Sequence, residues 1–137
     1  MGVEKALVRG LSILLMLLLS WSFSQAQDAN ETQIVRGRGA ILHGDQSKAR
    51  KRAIASSLRQ ALEQTVAELL APNASVSHLQ VLKEQIYRRA PRYVRSYRML
   101  WEYPDLPQKV YRVELEVEVA VKAVVQAISR LGVEQVN

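Results

Sequence analysis

Three glycines precede a basic, alanine-rich run in "IVRGRGAILHGDQSKARKRAI", residues 34–54. Glycine at a strand-to-helix turn is one way proteins cradle phosphate. A dinucleotide turn needs G-x-G-x-x-G, and a phosphate loop needs G-x-x-x-x-G-K followed by Ser or Thr, because backbone N–H groups and a lysine must converge on the anion. Gly37, Gly39 and Gly44 bring the third glycine two residues late for the first pattern. Gly39 and Gly44 have the spacing of the second, but Asp45 and Gln46 stand where Lys and Ser/Thr belong. A carboxylate there repels the phosphate that lysine should hold. The glycines are therefore read as structural. Gly37 and Gly39 leave room on a strand for close backbone approach or a bulge, and Gly44-Asp45 makes a turn whose aspartate caps the next helix.

Other reactive groups are sparse. There is no cysteine, and His43 and His78, the two histidines, are placed in loops without the spaced partners of a metal site. Glu114, Glu116 and Glu118 repeat every second residue and line one strand face, which makes a solubilising ladder rather than an acid–base pair. No serine sits in a nucleophile elbow. The expectation is a non-enzyme with no catalytic, cofactor-binding or metal-binding residues.

The arginines and lysines say more. "KARKR", Lys48 to Arg52, opens a helix where positive charge opposes the macrodipole, a small hint of a partner beside the plainer reading of solvated or cross-strand paired charge. "YRRAPRYVRSYR", Tyr87 to Arg98, interleaves five arginines with three tyrosines. The candidate partner-binding surface is Lys48, Lys51, Arg52, Arg88, Arg89, Arg92, Arg95 and Arg98. Its composition also suits nucleic acid, but an exported chain meets little of it, and no nucleic-acid partner is expected. The strand glutamates can instead face these arginines across a hairpin, and pairing Tyr103 with Val110 sets Arg95 opposite Glu118.

Export is read from the first 26 residues. Lys5 and Arg9 precede the apolar run "LSILLMLLL", and Ser24-Gln25-Ala26 supplies small residues for cleavage after Ala26. The alternative is a retained membrane anchor, which ranks second because the run is shorter than the ~20 residues of a spanning helix. The expectation is a signal peptide over 1–26, no stable membrane span after cleavage, and a periplasmic protein. A flexible lead-in over 27–31, one domain over 32–132 and a tail over 133–137 complete the chain. Its net charge of +6 comes from 19 Lys and Arg against 13 Asp and Glu.

Periodicity supplies the elements that position these residues. Thr32 to Leu42 reads as a strand. Gln46 to Leu70 reads as a long helix, with Ala49, Ala53, Ile54, Leu58, Ala61, Leu62, Val66 and Leu69 on its apolar stripe. A second helix, capped by Ser75 or Ser77, carries Leu79, Leu82, Ile86 and Ala90 to about Arg89, and Pro91 stops it. Arg92 to Tyr103 and Val110 to Val121 alternate as strands joined by "PDLPQK". A last helix, Lys122 to Leu131, presents Val125, Ile128 and Leu131 before Gly132. The order β-α-α-β-β-α is an α+β fold, a small antiparallel or mixed sheet packed on two main helices. The first strand must pair with the hairpin, in an orientation the pattern leaves open.

"GRGAI", "GDQSKARKRAIASSLRQALEQTV", "APRYVRSYRMLWEY" and "YRVELEVEVAV" together resemble the N-terminal domain of the flagellar assembly protein T family. The shared features are Gly39-Ala40, the Ala49-Arg50 pair, the spacing of Ala53, Ala61 and Gln64, Tyr97, and Tyr111 with Val113, over residues 34 to 131. The resemblance implies a periplasmic protein of the flagellar basal body, where the family helps build a ring, with no catalytic or cofactor residues. Family members continue into further domains, whereas this sequence stops at Asn137. The expected role is therefore a protein-interaction domain, an accessory of basal-body assembly or of another envelope complex. The alternative is a basic binding module for anionic cell-envelope polymers or lipid head groups.

Overall fold

The computed structural model describes residues 30–72, 76–133 and 135. The expected signal peptide over 1–26 lies outside the described residues, as do residues 27–29 of the lead-in. In chain order come β1 (Asn30–Ala40), α1 (Gln46–Leu69), α2 (Val76–Gln85), a 3-10 helix (Tyr87–Arg92), β2 (Val94–Asp105), β3 (Val110–Ala120) and α3 (Val121–Arg130). The expected α+β fold is what forms. One sheet, ordered β1-β3-β2, is antiparallel throughout.

β3 is central because its alternation suits a strand with one wet face. Tyr111, Val113, Leu115, Val117 and Val119 are buried against the helices, while Glu114, Glu116 and Glu118 lie on the uncovered face. β1 contributes Val35, Gly37 and Gly39 to the covered face. α1 lies across them with a stripe of small side chains, Ala49, Ala53 and Ser57, all fully buried. A methyl group placed on Gly39 would come within 1.9 Å of the Ala49 carbonyl oxygen, and one on Gly37 within 2.2 Å of the Ala53 oxygen. Both glycines are thus required by backbone-to-backbone contact between strand and helix.

His43 and Gly44 turn the chain with φ of 52° and 73°, and the Asp45 carboxylate accepts the Lys48 backbone N–H at 3.0 Å as the N-cap of α1. α3 closes in the same spirit at its other end. Gly132, at φ 68°, donates its N–H to Ser129 O and Val133 donates to Ile128 O. That crossed pair, with Val133 and Ile128 both buried, is a Schellman closure.

Several boundaries differ from the sequence reading. Asn30 and Glu31 are strand rather than lead-in, since both pair with β3. Val133 is buried and Gln135 bridges Leu70, so these two belong to the fold rather than to a tail. α2 ends at Gln85, earlier than Pro91 requires, and Pro91 sits inside the 3-10 helix. The tighter turn lets Ile86 and Ala90 stay buried beside Leu82, whereas Leu79 is left half exposed. His78 is on α2 rather than in a loop. On α3 the buried residues are Val124 and Ile128.

The hairpin register is also shifted. Tyr103 pairs with Arg112, two residues from the expected Val110, and two irregularities in β2, between Val94 and Ser96 and between Met99 and Trp101, each take back one residue. Arg95 therefore still meets Glu118, at 3.9 Å.

Candidate functional site: a basic groove between α1 and the 3-10 helix

The structure divides the expected partner surface. Lys48 turns back on its own cap, 3.5 Å from Asp45, whose carboxyl is held below its ordinary value chiefly by the Lys48 backbone N–H. Arg50 crosses to β2 and holds Glu102 at 2.5 Å. That contact raises the guanidinium's already high pKa, and it gives part of the "KARKR" charge a structural role. Lys51 is exposed. Arg98 is on the uncovered sheet face, paired with Glu116.

Arg52 and Arg88 do come together. They line an open groove of about 570 Å³ between α1 and the segment from Lys83 to Pro91. Arg59 and Lys83, which the sequence reading left out, complete its set of four cations. The floor is apolar: Leu58 and Ala90 are buried there, and Ala55, Pro91 and the half-buried Tyr87 join them. Burial, with Glu63 second, pushes the Tyr87 hydroxyl above its ordinary pKa.

A second hollow of about 320 Å³ shares Leu58 and Pro91 with the first and extends the surface to Val94, Arg95 and Tyr97. Arg89 and Arg92 are exposed on the intervening 3-10 helix. Arg88, Arg52 and Arg95 thus share one surface, while Lys48 and Arg98 are engaged elsewhere.

A signal for the missed residues exists. Arg52, Ala55, Ser56 and Arg59 follow i, i+3, i+4, i+7 spacing and share one face of α1, while Lys83 and Tyr87 are four apart in sequence and line the groove from the two sides of the break between α2 and the 3-10 helix. Joining the two sets takes the docking of the 3-10 helix on α1, where Leu58 and Ala90 are buried.

The rim chemistry is arginine and lysine facing carboxylates. Arg88 holds Glu84 at 2.8 Å and Arg59 holds Glu63 at 3.5 Å, both as exposed pairs one helical turn apart. Among the described residues Lys83 forms no ion pair. Arg52 donates to the Ala40 carbonyl at 3.1 Å, which fixes its side chain near the strand end. The groove can hold anionic groups over an apolar floor.

The uncovered sheet face reads differently. Arg36 to Glu114 at 2.6 Å, Arg98 to Glu116, and Arg112 to Asp105 at 3.0 Å pair much of its charge internally, Arg38 lies exposed opposite Arg112, and Ile34, Trp101 and Tyr103 stand exposed among them. Among the described residues there is no group of three or more His, Cys, Asp or Glu placed to hold a metal, and no helix long and apolar enough to cross a membrane. Compared with protein-family models, with curated proteins and with solved structures, the chain matches none.

Proposed function

We propose that this protein is a non-enzymatic interaction domain of the bacterial periplasm that binds an anionic partner through the groove between α1 and the 3-10 helix. The observation that supports this reading is the convergence of Arg52, Arg59, Lys83 and Arg88 around an apolar floor. Four cations brought together from three elements leave an excess of positive charge that its local glutamates, Glu63 and Glu84, do not balance. Like charges gathered this way repel one another, and a bound anion relieves that repulsion.

The expected partner is a protein of an envelope assembly. The resemblance to the N-terminal domain of flagellar assembly proteins makes the flagellar basal body the first assembly to examine. Exposed Arg89 and Arg92 beside the groove favour a second reading, attachment to anionic envelope polymers or lipid head groups.

Deletion and complementation test the proposal. A strain lacking the protein, restored with the wild type but not with a double variant Arg52→Glu/Arg88→Glu that exports and folds normally, supports a groove-dependent role. Equal restoration by both refutes it. Normal motility and intact purified basal bodies in the deletion strain remove the flagellar part of the reading alone.

A further inference from the structure

We infer that the groove takes an acidic polypeptide segment that places carboxylates on the rim and one aliphatic or aromatic side chain on the floor. This deepens the function proposed above and rests on it. The ligand class follows from the two layers of the site.

The rim handles carboxylate chemistry. Arg59 and Arg88 each hold a glutamate of their own chain, and such exposed pairs exchange partners at little cost because each is weak in water. Lys83 has no carboxylate partner among the described residues, so it offers an open donor beside them. An incoming segment with several carboxylates can take Lys83 directly and share or displace Glu84 and Glu63.

The floor demands a side chain. Leu58 and Ala90 are buried at its base, with Pro91 and the Tyr87 ring beside them, and Leu58 and Pro91 continue into the adjoining hollow with Val94 and Tyr97. An apolar surface of this kind releases water when covered. A flat layer of lipid head groups reaches the rim and leaves this concave floor wet. A polypeptide can send one side chain down while its carboxylates stay at the rim, and aromatic or aliphatic anchors ringed by charge are the usual division of labour at protein interfaces. The two features together select a protein segment over a membrane surface.

The test is fluorescence anisotropy of labelled peptides against the purified full chain. The probes are a dodecapeptide of glutamates interrupted by two leucines, the same peptide with alanine for leucine, and the same peptide with lysine for glutamate. Vesicles of phosphatidylglycerol form a separate arm, read by co-sedimentation. The leucine-bearing acidic peptide should bind, more weakly as salt rises because the rim charges are screened. The alanine version should bind several-fold less tightly, and the lysine version not at all. Lys83→Glu should weaken binding by about tenfold or more, because it sets a like charge against the incoming carboxylates. Ala55→Trp, which fills the groove from an exposed position of α1, should abolish it, and Arg38→Glu on the uncovered sheet face should leave it unchanged.

Equal binding of the leucine and alanine peptides overturns the floor anchor. Vesicle binding that Lys83→Glu abolishes, with no peptide binding, overturns the peptide class while the anionic partner survives. Absence of both kinds of binding overturns this inference and the function it rests on.

Discussion

Replacing Gly39 with alanine tests the physical reason for the glycines most sharply. The added methyl carbon would lie 1.9 Å from the Ala49 carbonyl oxygen and 2.8 Å from the Ala53 nitrogen. Ordinary contact begins near 3.4 Å, so strand and helix must separate by roughly 1.5 Å. Both neighbours are backbone, and no rotamer change relieves them. Overpacking costs about 1–3 kcal/mol, more when backbone must move, so Gly39→Ala belongs at about 3 kcal/mol. A loss of that size in a domain of this length lowers the thermal midpoint by roughly 15 °C. Gly37→Ala should cost nearly as much, since Ser57 can turn aside but the Ala53 oxygen cannot. Gly44→Ala meets no atom and carries only the strain of φ 73°, so about 1 kcal/mol suffices. Circular dichroism melts of the three variants give the order directly. A Gly39→Ala variant within about 0.5 kcal/mol of wild type, the range of ordinary surface substitutions, would refute the close-approach account. A raised midpoint on adding a nucleotide would restore the phosphate-loop reading.

Three further outcomes follow from the same structure. Leu82→Ala should cost about 3 kcal/mol in urea unfolding and Leu79→Ala under about 0.5, because Leu82 is buried and Leu79 is 50% exposed on the same helix; equal losses would mean that α2 docks by another face. Asp45→Ala should lower the midpoint at neutral pH. Its folded pKa lies below the ordinary 3.8, so its contribution is present above that value and lost as pH falls through the lower folded one, and wild type and variant should converge in strong acid. Tyr87 and Tyr111 have pKa values raised above 10, first by burial. Their contribution is intact below pH 10 and is lost as pH rises through the raised values, so ultraviolet titration should show these two tyrosines ionising late, and Tyr87→Phe should remove one late step.

Where a residue's environment is set by its neighbours in sequence, it was readable from the sequence. The alternation of Val113 to Val119 with Glu114 to Glu118 places β3 with one dry face, and Asp45 caps α1 as its position before the helix implies. The sequence leaves close backbone approach or a bulge open at Gly37 and Gly39, and only the packing of α1 on β1 decides for close approach. The early end of α2 was hidden because Leu82, Ile86 and Ala90 keep a helical spacing through the change to a 3-10 turn. The two irregularities in β2 were hidden because no glycine or proline marks them. The groove was half visible. Arg52 and Arg88 stood out as members of charge runs, whereas Arg59 and Lys83 stand singly in the sequence and gain meaning only when the 3-10 helix packs on α1.

The central claim is that an acidic segment docks between α1 and the 3-10 helix, and an amide-resolved nuclear magnetic resonance titration with the leucine-bearing glutamate peptide tests it most directly. Perturbed resonances should cluster at Ala55, Leu58, Arg59, Lys83, Tyr87 and Arg88, with those of Ile34, Trp101 and Tyr103 on the uncovered sheet face unmoved. Perturbations centred on the sheet face, or none at saturating peptide, would contradict the account.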